Sequence, residues 1–412
     1  MKPIRLTPLT AIRARIQLPS SKSICNRALI INALAKEHAR LENLSDCDDT
    51  RVMVHALQDM PETIDIGAAG TAMRFLTAYL SVNEGTHTLT GTQRMRQRPI
   101  GILVDALRQA GAQIEYTGEE GYPPLRITGS IFTQNEITLP GNVSSQYISA
   151  LLMIGPALPN GLKLTLTGTV ISRPYIDLTL QLMQAFGAHA QWSDEHQLCV
   201  EPHPYQSPAS YDIESDWSAA SYWYEICALM PEAEIELPTL FRKSLQGDAQ
   251  VARLFAPLGV ETRYENDKVV LTKSGMKTSR MEYDFTGQPD LAQTFVVTCA
   301  LLDVPFRFCG LQSLKIKETD RMAALIKEMR KLGYVLHEAD GSILSWDGER
   351  CVPDPQPSID TYEDHRMAMA FAPACIPLQH LRINNPQVVS KSYPHYWDDL
   401  RQAGFDIAEY SE

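Results

Sequence analysis

Long apolar runs are missing from this 412-residue sequence, and none approaches the length needed to cross a membrane. The N-terminus also lacks the basic start, apolar centre and small-residue cleavage site that are typical of a signal peptide. From these two absences we expect a cytoplasmic protein.

Paired cysteines and excess positive charge are missing as well. The eight cysteines are scattered singly, at no spacing typical of metal ligands or redox motifs, so we expect reduced, buried thiols and no metal site. The net charge of −12 disfavours nonspecific binding to nucleic acid or to an anionic membrane. Any anion bound by this chain must therefore be held by cations gathered locally.

What the sequence does contain is one two-helix pattern repeated six times. The first helix is apolar nearly all round, which is typical of a buried helix. Its copies are predicted at residues 22–35, 70–81, 144–158, 218–230, 290–302 and 365–376. The second helix is amphipathic and usually ends at a glycine, as C-capped surface helices do. Its copies are predicted at residues 49–60, 98–111, 173–187, 248–259, 318–333 and 394–404.

The spacing of these helices predicts an α/β repeat. Successive copies start about 48 and then about 72 to 75 residues apart, which is too long for an ordinary solenoid repeat and suits a small α/β subdomain. Alternating runs at 86–90, 162–166 and 268–272 predict strands between the helices. With 44% apolar residues, the chain can form two domains of three copies each. The short first interval predicts that a strand or hairpin has been lost around residues 58–66.

Cations and hydroxyls gather where the helices begin. Free backbone N–H groups and the helix dipole favour anions at such positions. Each segment alone also fits a capped helix or a solvated charge cluster. Six cations nevertheless share equivalent helix-start regions in different copies, which indicates one concave anion site: Lys22, Arg98, Lys317, Arg321, Arg366 and Lys391.

In two segments the charged residues are densely clustered. In the first, Arg94, Arg96 and Arg98 alternate in a predicted loop, where their planar side chains are suited to bind a carboxylate or phosphate. In the second, Lys317 and Arg321 are predicted to share one face of a helix start, with Glu318 on the adjoining face. A carboxylate among cations, with little water, can take part in proton transfer.

At this level of detail the motifs resemble those of the 5-enolpyruvylshikimate-3-phosphate (EPSP) synthase family of enolpyruvyl transferases. The ordered matches run through nearly the whole chain, at residues 21–27, 70–74, 98–101, 144–147, 174–177, 246–248, 289–290, 317–321, 364–369 and 391. The resemblance implies an α/β protein of two similar domains, each made of three βαβαββ repeats with buried parallel helices. It also implies a discontinuous domain of residues 1–19 and 215–412, an inserted domain of residues 20–214, and an active site in the cleft between them.

The resemblance implies a reaction of the shikimate pathway, which leads to chorismate and the aromatic amino acids. The enolpyruvyl group of phosphoenolpyruvate passes to the 5-hydroxyl of shikimate 3-phosphate and phosphate is released, by addition followed by elimination, with no metal or organic cofactor. We expect a monomer that closes its domains on these two small substrates and binds neither nucleic acid nor a membrane.

The site residues are likewise implied by position in the family pattern. The shikimate 3-phosphate site would comprise Lys22, Ser23, Arg27, Ser144, Ser145, Gln146, Ser172, Tyr175, Asp290, Ser313 and Lys317. The phosphoenolpyruvate site would comprise Lys22, Gly70, Arg98, Gln146, Arg321, Arg366 and Lys391. For the chemistry, Asp290 would help to deprotonate the 5-hydroxyl, Glu318 would move a proton at the methylene carbon, and Lys22 would assist proton transfer and stabilise charge.

Four features depart from the family pattern: Ala68 in place of asparagine, Phe75 in place of proline, Ser313 where some members have asparagine, and the shortened first repeat. One alternative is the sister enolpyruvyl transferase that acts on UDP-N-acetylglucosamine, which usually has a reactive cysteine in the loop before the arginine-proline pair. Residues 91–98 contain no cysteine. A second alternative is a non-catalytic anion-binding relative, although binding alone gives little reason for carboxylates beside polyanions.

Overall fold

A computed structural model describes residues 2–410 of the chain. The chain divides into two compact units. The inserted unit is Ser20–Ile213, and the discontinuous unit comprises the residues up to Pro19 together with those from Glu214 onward. The expected boundary places residue 214 in the inserted unit, whereas here it belongs to the discontinuous unit.

Short strands and helices alternate along both units. The strands are β1 Ile4–Thr7, β2 Ile12–Arg15, β3 Arg40–Glu42, β4 Thr63–Asp65, β5 Thr86–Thr90, β6 Gln113–Tyr116, β7 Leu125–Thr128, β8 Glu136–Pro140, β9 Leu162–Thr167, β10 Ala190–Trp192, β11 Gln197–Val200, β12 Ser210–Asp212, β13 Ala233–Pro238, β14 Val260–Glu265, β15 Lys268–Lys273, β16 Met281–Asp284, β17 Phe306–Cys309, β18 His337–Ala339, β19 Ile343–Trp346, β20 Ser358–Ile359, β21 Leu381–Ile383 and β22 Asp406–Glu409. The α-helices are α1 Lys22–Leu34, α2 Asp48–Asp59, α3 Gly70–Val82, α4 Gln93–Arg96, α5 Gly101–Ala110, α6 Ser145–Ile154, α7 Arg173–Ala185, α8 Trp217–Leu229, α9 Val251–Phe255, α10 Ala292–Leu301, α11 Arg321–Lys331, α12 His365–Phe371, α13 Cys375–Leu378 and α14 Tyr396–Gln402.

The sheets repeat one topology. Across residues 2–410 the strands form six sheets, and each sheet contains one parallel pair. In four sheets this pair directly brackets a buried helix, as β8 and β9 bracket α6. A hairpin of two further strands then pairs antiparallel, as β11 and β10 do. This is the predicted βαβαββ repeat, and the prediction of an α/β fold is confirmed.

The first repeat is shortened, as predicted. Among the described residues its sheet has only two strands, β12 and β3, whereas the other five sheets have four. Helix α2 ends at Asp59, and the next strand, β4, already belongs to the second repeat. The missing hairpin therefore lies where the sequence places the deletion.

The first strands of the chain complete two repeats of the discontinuous unit. Strand β1 lies between β21 and β22 and pairs antiparallel with both. Strand β2 pairs in parallel with β13, the strand that follows α8 in the sequence. Both units are thus closed by segments that are distant in sequence, because β12 supplies the first strand of the repeat that contains α1.

Five of the six predicted apolar helices are buried, as their composition predicts, whereas six of the thirteen residues of α1 are only half-buried. Every residue of α10 and of α12 is buried, and α3, α6 and α8 have only one or two residues that are not. Removing this apolar surface from water is the main favourable contribution to each core, at roughly 25 cal/mol per Å².

Several helix bounds differ from the prediction, and a proline lies at or near each change. The helix predicted at 365–376 is interrupted by a 3₁₀ turn at Ala372–Ala374, where Pro373 has no N–H to donate. The helix predicted at 248–259 is a 3₁₀ turn followed by α9, which ends two residues before Pro257. The helix predicted at 290–302 begins with a 3₁₀ turn, Pro289–Leu291.

All eight cysteines are free, but only five of them are buried, so the expectation of buried thiols is wrong for Cys199, Cys309 and Cys351. Among the helices of the described residues, none combines the length and the apolar character required to cross a membrane.

Candidate active site

In the inserted unit, the beginnings of α3 and α6 lie side by side. Ser144 caps α6 by accepting a hydrogen bond from the N–H of Gln146 at 3.3 Å. The Gln146 amide in turn donates to Thr71 Oγ1, at the start of α3, at 3.1 Å. Ser145 is buried in the same first turn. The predicted serine and glutamine donors therefore lie next to the helix start that contains Gly70.

Gly70 and Arg98 are in direct contact. A Cβ on Gly70 would lie 2.5 Å from Arg98 Nη1 and 2.8 Å from Nη2, so only glycine leaves room for this guanidinium at the start of α3. Arg98 is 9% exposed, and within the described residues its Nε has no hydrogen-bond partner. Arg74, which was not among the predicted site residues, donates to the carbonyls of Gly70 and Pro99 and so ties the two segments together.

Lys22 is the first residue of α1, which is capped by Ser21. Its Nζ lies 3.2 Å from Asp49 Oδ2, and the Asp49 carboxylate is 4% exposed while the lysine side chain is 16% exposed. A buried carboxylate thus fixes the ammonium group of a partly exposed lysine side chain. Asp49 was missed as a site residue because its position on α2 has no counterpart in the motif pattern.

Arg27 is a buried cation whose hydrogen-bond acceptors are oxygens without formal charge. It donates to Thr179 Oγ1 at 2.7 Å, to Ser149 Oγ at 3.0 Å and to the Ser23 carbonyl at 3.0 Å. Burial lowers its pKa to about 10. The Phe75 ring, with its centroid 5.2 Å from the guanidinium carbon, packs against it. Phe75, which replaces the usual proline, therefore shapes the surroundings of Arg27.

Ser172 and Tyr175 belong to the start of α7. Ser172 is the N-cap residue in the left-handed region, with φ of 53°, and is buried. Its carbonyl accepts the N–H of Tyr175 at 3.0 Å. Because Arg27 donates to Thr179 on the same helix, α7 and α1 are tied together at this end.

The expected cluster of three alternating arginines is wrong in its geometry. Residues 93–96 form the helical turn α4, capped by Thr92, instead of a loop. Arg94 and Arg96 are exposed on this turn, and only Arg98, which lies beyond its end, is buried. Arg96 donates to the Gly91 carbonyl at 3.1 Å.

In the discontinuous unit, three cations surround Asp290. Its carboxylate lies 3.0 Å from Arg366 Nη2, 3.1 Å from Arg321 Nη1 and 3.6 Å from Lys317 Nζ. Burial acts to raise the pKa of Asp290, but Arg366, Lys317 and Arg321 hold that pKa well below its usual range. Burial also lowers the pKa of Lys317. Without ligands, Asp290 is therefore ionised and a weak base.

Glu318 lies between Lys391 and Arg321, and Arg321 also contacts Asp290. One carboxylate oxygen accepts from Arg321 Nη2 at 2.8 Å and the other from Lys391 Nζ at 2.6 Å. Its side chain is 14% exposed. Each cation predicted for this half of the site is therefore within reach of Asp290 or Glu318, and an incoming anion competes with these two carboxylates.

The expectation that Lys317 and Arg321 share a helix face is wrong. Asp320 has extended φ and ψ angles and caps α11 by accepting the N–H of Ala323 at 3.1 Å, so the helix begins only at Arg321. A capping residue is not helical, and the residues before it lie outside the helix. Lys317 and Arg321 both reach Asp290 nonetheless.

The remaining predicted residue, Ser313, is less closely connected. It lies half-buried in the 3₁₀ turn Gln312–Ile316, and within residues 2–410 no hydrogen bond joins its hydroxyl to the cluster. Asp248 was missed although its motif was noted. Its carboxylate accepts a hydrogen bond from Ser218, and burial, together with the charge of Asp290, raises its pKa to about 7. The matched motif at residues 246–248 was the signal available in the sequence.

Repeated βαβαββ units with cations at the buried helix starts define an enolpyruvyl transferase fold. The chain is similar to the solved EPSP synthase of Acinetobacter baumannii, with a TM-score of 0.78, 19% identity, and coverage of 99% of this chain and 100% of that one. It is also similar to the enolpyruvyl transferase NikO of Streptomyces tendae, with a TM-score of 0.75, 16% identity, and coverage of 100% and 99%. At these identities the likeness concerns the fold.

Sequence comparison identifies the family. The model of the EPSP synthase (3-phosphoshikimate 1-carboxyvinyltransferase) family matches residues 6–65 and 60–400. A 3-phosphoshikimate 1-carboxyvinyltransferase of Bacteroides fragilis strain YCH46 is 64% identical over 402 residues, covering 98% of both chains. One from Vibrio cholerae serotype O1 strain M66-2 is 35% identical over 429 residues, covering 98% of this chain and 99% of the relative. The chain belongs to the EPSP synthase family and is a transferase of the shikimate pathway, as the motifs predict.

Proposed function

We propose that the helix starts of the inserted unit and the cations around Asp290 and Glu318 bind the two substrates of the family reaction, shikimate 3-phosphate and phosphoenolpyruvate, and act on them jointly. The enolpyruvyl group of phosphoenolpyruvate is added to the 5-hydroxyl of shikimate 3-phosphate, and phosphate is then eliminated. The observation that carries this proposal is the position of Asp290 and Glu318, two carboxylates each bound by at least two cations. In a protein that only binds anions, both carboxylates would weaken that binding.

The shikimate 3-phosphate site is assigned to the serine and glutamine helix starts with Arg27 and Lys317. Arg27 supports this assignment because it is buried and, among the described residues, bonds only to oxygens without formal charge. A phosphate near it is not repelled by a neighbouring carboxylate. The proposed set is Lys22, Ser23, Arg27, Ser144, Ser145, Gln146, Ser172, Tyr175, Asp290, Ser313 and Lys317.

The phosphoenolpyruvate site is assigned to the start of α3 and to the arginines around Asp290. Arg98 supports this assignment because its guanidinium lies against the Gly70 backbone, where free N–H groups also favour an anion. The proposed set is Lys22, Gly70, Arg98, Gln146, Arg321, Arg366 and Lys391.

Asp290 is proposed to accept the proton of the 5-hydroxyl. Its low pKa in the ligand-free chain makes it a weak base, because three cations stabilise its charge. Substrate anions that pair with Lys317 and Arg366 would offset these cations, which raises the basicity of Asp290 only once both substrates are bound. Proton removal is thereby coupled to substrate binding.

Glu318 is proposed to move the proton at the methylene carbon. It contacts Arg321 and Lys391, two residues of the proposed phosphoenolpyruvate site, so its carboxyl group reaches the region where that substrate binds. Lys22, fixed by Asp49, is proposed to assist proton transfer and to stabilise developing charge.

We further propose that the chain works as a cytoplasmic monomer on these small molecules, without a cofactor. Its net charge of −12 supports the absence of nucleic-acid and anionic-membrane partners.

Phosphate release that requires both substrates tests the function. We expect no release with either substrate alone. Tight binding without release would support the non-catalytic alternative, and release that requires UDP-N-acetylglucosamine would support the sister enzyme.

The variant Glu318→Gln should lose about 100-fold or more in turnover while still binding shikimate 3-phosphate, as expected for loss of a proton-transfer group. Near-normal turnover would remove Glu318 from the mechanism. Asp320→Asn, two residues away, keeps the helix cap and serves as the control.

A further inference from the structure

Asp364 is the carboxylate that lies furthest from solvent in the charged cluster of the discontinuous unit. Its side chain is 0% exposed, whereas those of Asp290 and Glu318 are 19% and 14% exposed. Asp290 and Glu318 can therefore meet a ligand directly, and Asp364 cannot.

Asp364 contacts the edge of the Arg321 guanidinium that is formed by Nε and Nη2. Its Oδ2 accepts from Arg321 Nε at 2.6 Å, and its Oδ1 lies 3.4 Å from Nη2. The two terminal nitrogens of Arg321 bond to Asp290 and Glu318. Since the guanidinium is planar and rigid, fixing Nε decides where Nη1 and Nη2 point.

The same carboxylate sets the starting point of the second arginine. Asp364 is the N-cap of α12, and its Oδ1 accepts the backbone N–H of Arg366 at 2.9 Å. The side chain of Arg366 then reaches Asp290 at 3.0 Å and the Tyr222 hydroxyl at 3.3 Å. One buried group is thus bonded to both arginines that are assigned to the phosphoenolpyruvate site in this unit.

We propose that Asp364 is a positioning residue for phosphoenolpyruvate: it fixes the guanidinium of Arg321 and the helix start that carries Arg366, so that both present their terminal nitrogens to the substrate. The proposal rests on the proposed function, because it takes those two arginines as ligands of phosphoenolpyruvate. When a substrate anion replaces Asp290 or Glu318 as a partner of Arg321, Asp364 keeps its own contacts to that arginine.

The variant Asp364→Asn separates the two roles of this residue. An asparagine oxygen can still accept the Arg366 N–H and cap α12, but it lacks the charge that binds Arg321. Arg321 keeps Asp290 and Glu318 as partners, so the variant is expected to fold. Asp320→Asn is the matched control, because Asp320 also caps a helix of this unit and is adjacent in sequence to Arg321.

Steady-state kinetics and thermal unfolding of the wild type and both variants test the proposal. We expect Asp364→Asn to raise the KM for phosphoenolpyruvate about 10- to 100-fold, as for loss of a charged hydrogen bond. The KM for shikimate 3-phosphate should change less than about twofold, and Asp320→Asn should behave like the wild type. An unchanged KM for phosphoenolpyruvate, or an equal rise for both substrates with a lowered melting temperature, would overturn the positioning role.

A double-mutant cycle with Arg321→Lys tests whether Asp364 acts through Arg321. Lysine keeps the charge at position 321 but has no Nε–H edge for Asp364 to fix. We expect the double variant to be no worse than Arg321→Lys by more than about threefold in kcat/KM for phosphoenolpyruvate. Fully additive losses would show that Asp364 acts elsewhere and would overturn the proposal. A wild type that releases no phosphate would instead refute the proposed function itself.

Discussion

The contact between Gly70 and Arg98 allows a strict test of the phosphoenolpyruvate assignment. In Gly70→Ala the new Cβ would lie 2.5 Å from Arg98 Nη1 and 2.9 Å from Cζ. These separations are shorter than ordinary Cβ contacts, so the guanidinium, which is the far end of a flexible side chain, must shift away from the Gly70 backbone. Loss of one charged hydrogen bond costs about 1.5–3 kcal/mol, which corresponds to roughly 10- to 100-fold weaker binding.

The fold should tolerate the change. Gly70 does not have a positive φ, and alanine is the better helix former by up to about 1 kcal/mol. We therefore expect the KM for phosphoenolpyruvate to rise by the factor above, while the melting temperature and the affinity for shikimate 3-phosphate stay near the wild-type values.

Gly101→Ala is the matched control for this measurement. Gly101 is also the first residue of a helix, and the nearest atom to its added Cβ is 3.4 Å away, an ordinary contact. Both variants should be assayed for phosphate release over a range of phosphoenolpyruvate concentrations. A KM in Gly70→Ala that equals that of Gly101→Ala would refute the placement of phosphoenolpyruvate beside Arg98.

Two further predictions concern stability and the arginine segment. Burial and the charge of Asp290 raise the pKa of Asp248 to about 7, so the folded chain binds a proton that the unfolded chain loses near pH 4. The free energy of unfolding of the wild type should therefore fall between about pH 4 and pH 7. Over that range the free energy of unfolding of Asp248→Asn should rise relative to that of the wild type by up to about 4 kcal/mol. Urea unfolding at several pH values measures this, with the exposed Asp406→Asn as control; a difference that does not change with pH would contradict it. In the second prediction, Arg94→Ala should leave the KM for phosphoenolpyruvate within about twofold, because Arg94 is exposed, while Arg98→Ala should raise it at least tenfold. An equal rise in the KM for phosphoenolpyruvate in both variants would support the three-arginine cluster.

The fold was predictable because its signals are local. A helix such as α10, apolar on every side, has to be buried, and the deleted hairpin of the first repeat shortens a spacing that can be read from the sequence. Helix ends were less predictable. The cap formed by Asp320, which leaves Lys317 outside α11, depends on one hydrogen bond to Ala323.

The candidate site was predictable where a motif names the residue and not where burial decides its role. Asp49 looks like an ordinary first-turn aspartate in the sequence, and Asp364, although it lies in the matched segment 364–369, looks like an ordinary capping aspartate. Their importance comes from contacts with Lys22 and Arg321 across 27 and 43 positions of chain. The low pKa of Asp290 likewise requires three cations from separate segments, which composition and spacing do not reveal.

The placement of β1 has a consequence for how the protein is made on the ribosome. The inserted unit is complete once residue 213 has been synthesised, so it can fold while the rest of the chain is still being added. The sheet that contains β1 cannot close until β22, near residue 409, has emerged, because β1 lies between β21 and β22. Until then at least one edge of β1 is unpaired, and the discontinuous unit is expected to fold last and more slowly.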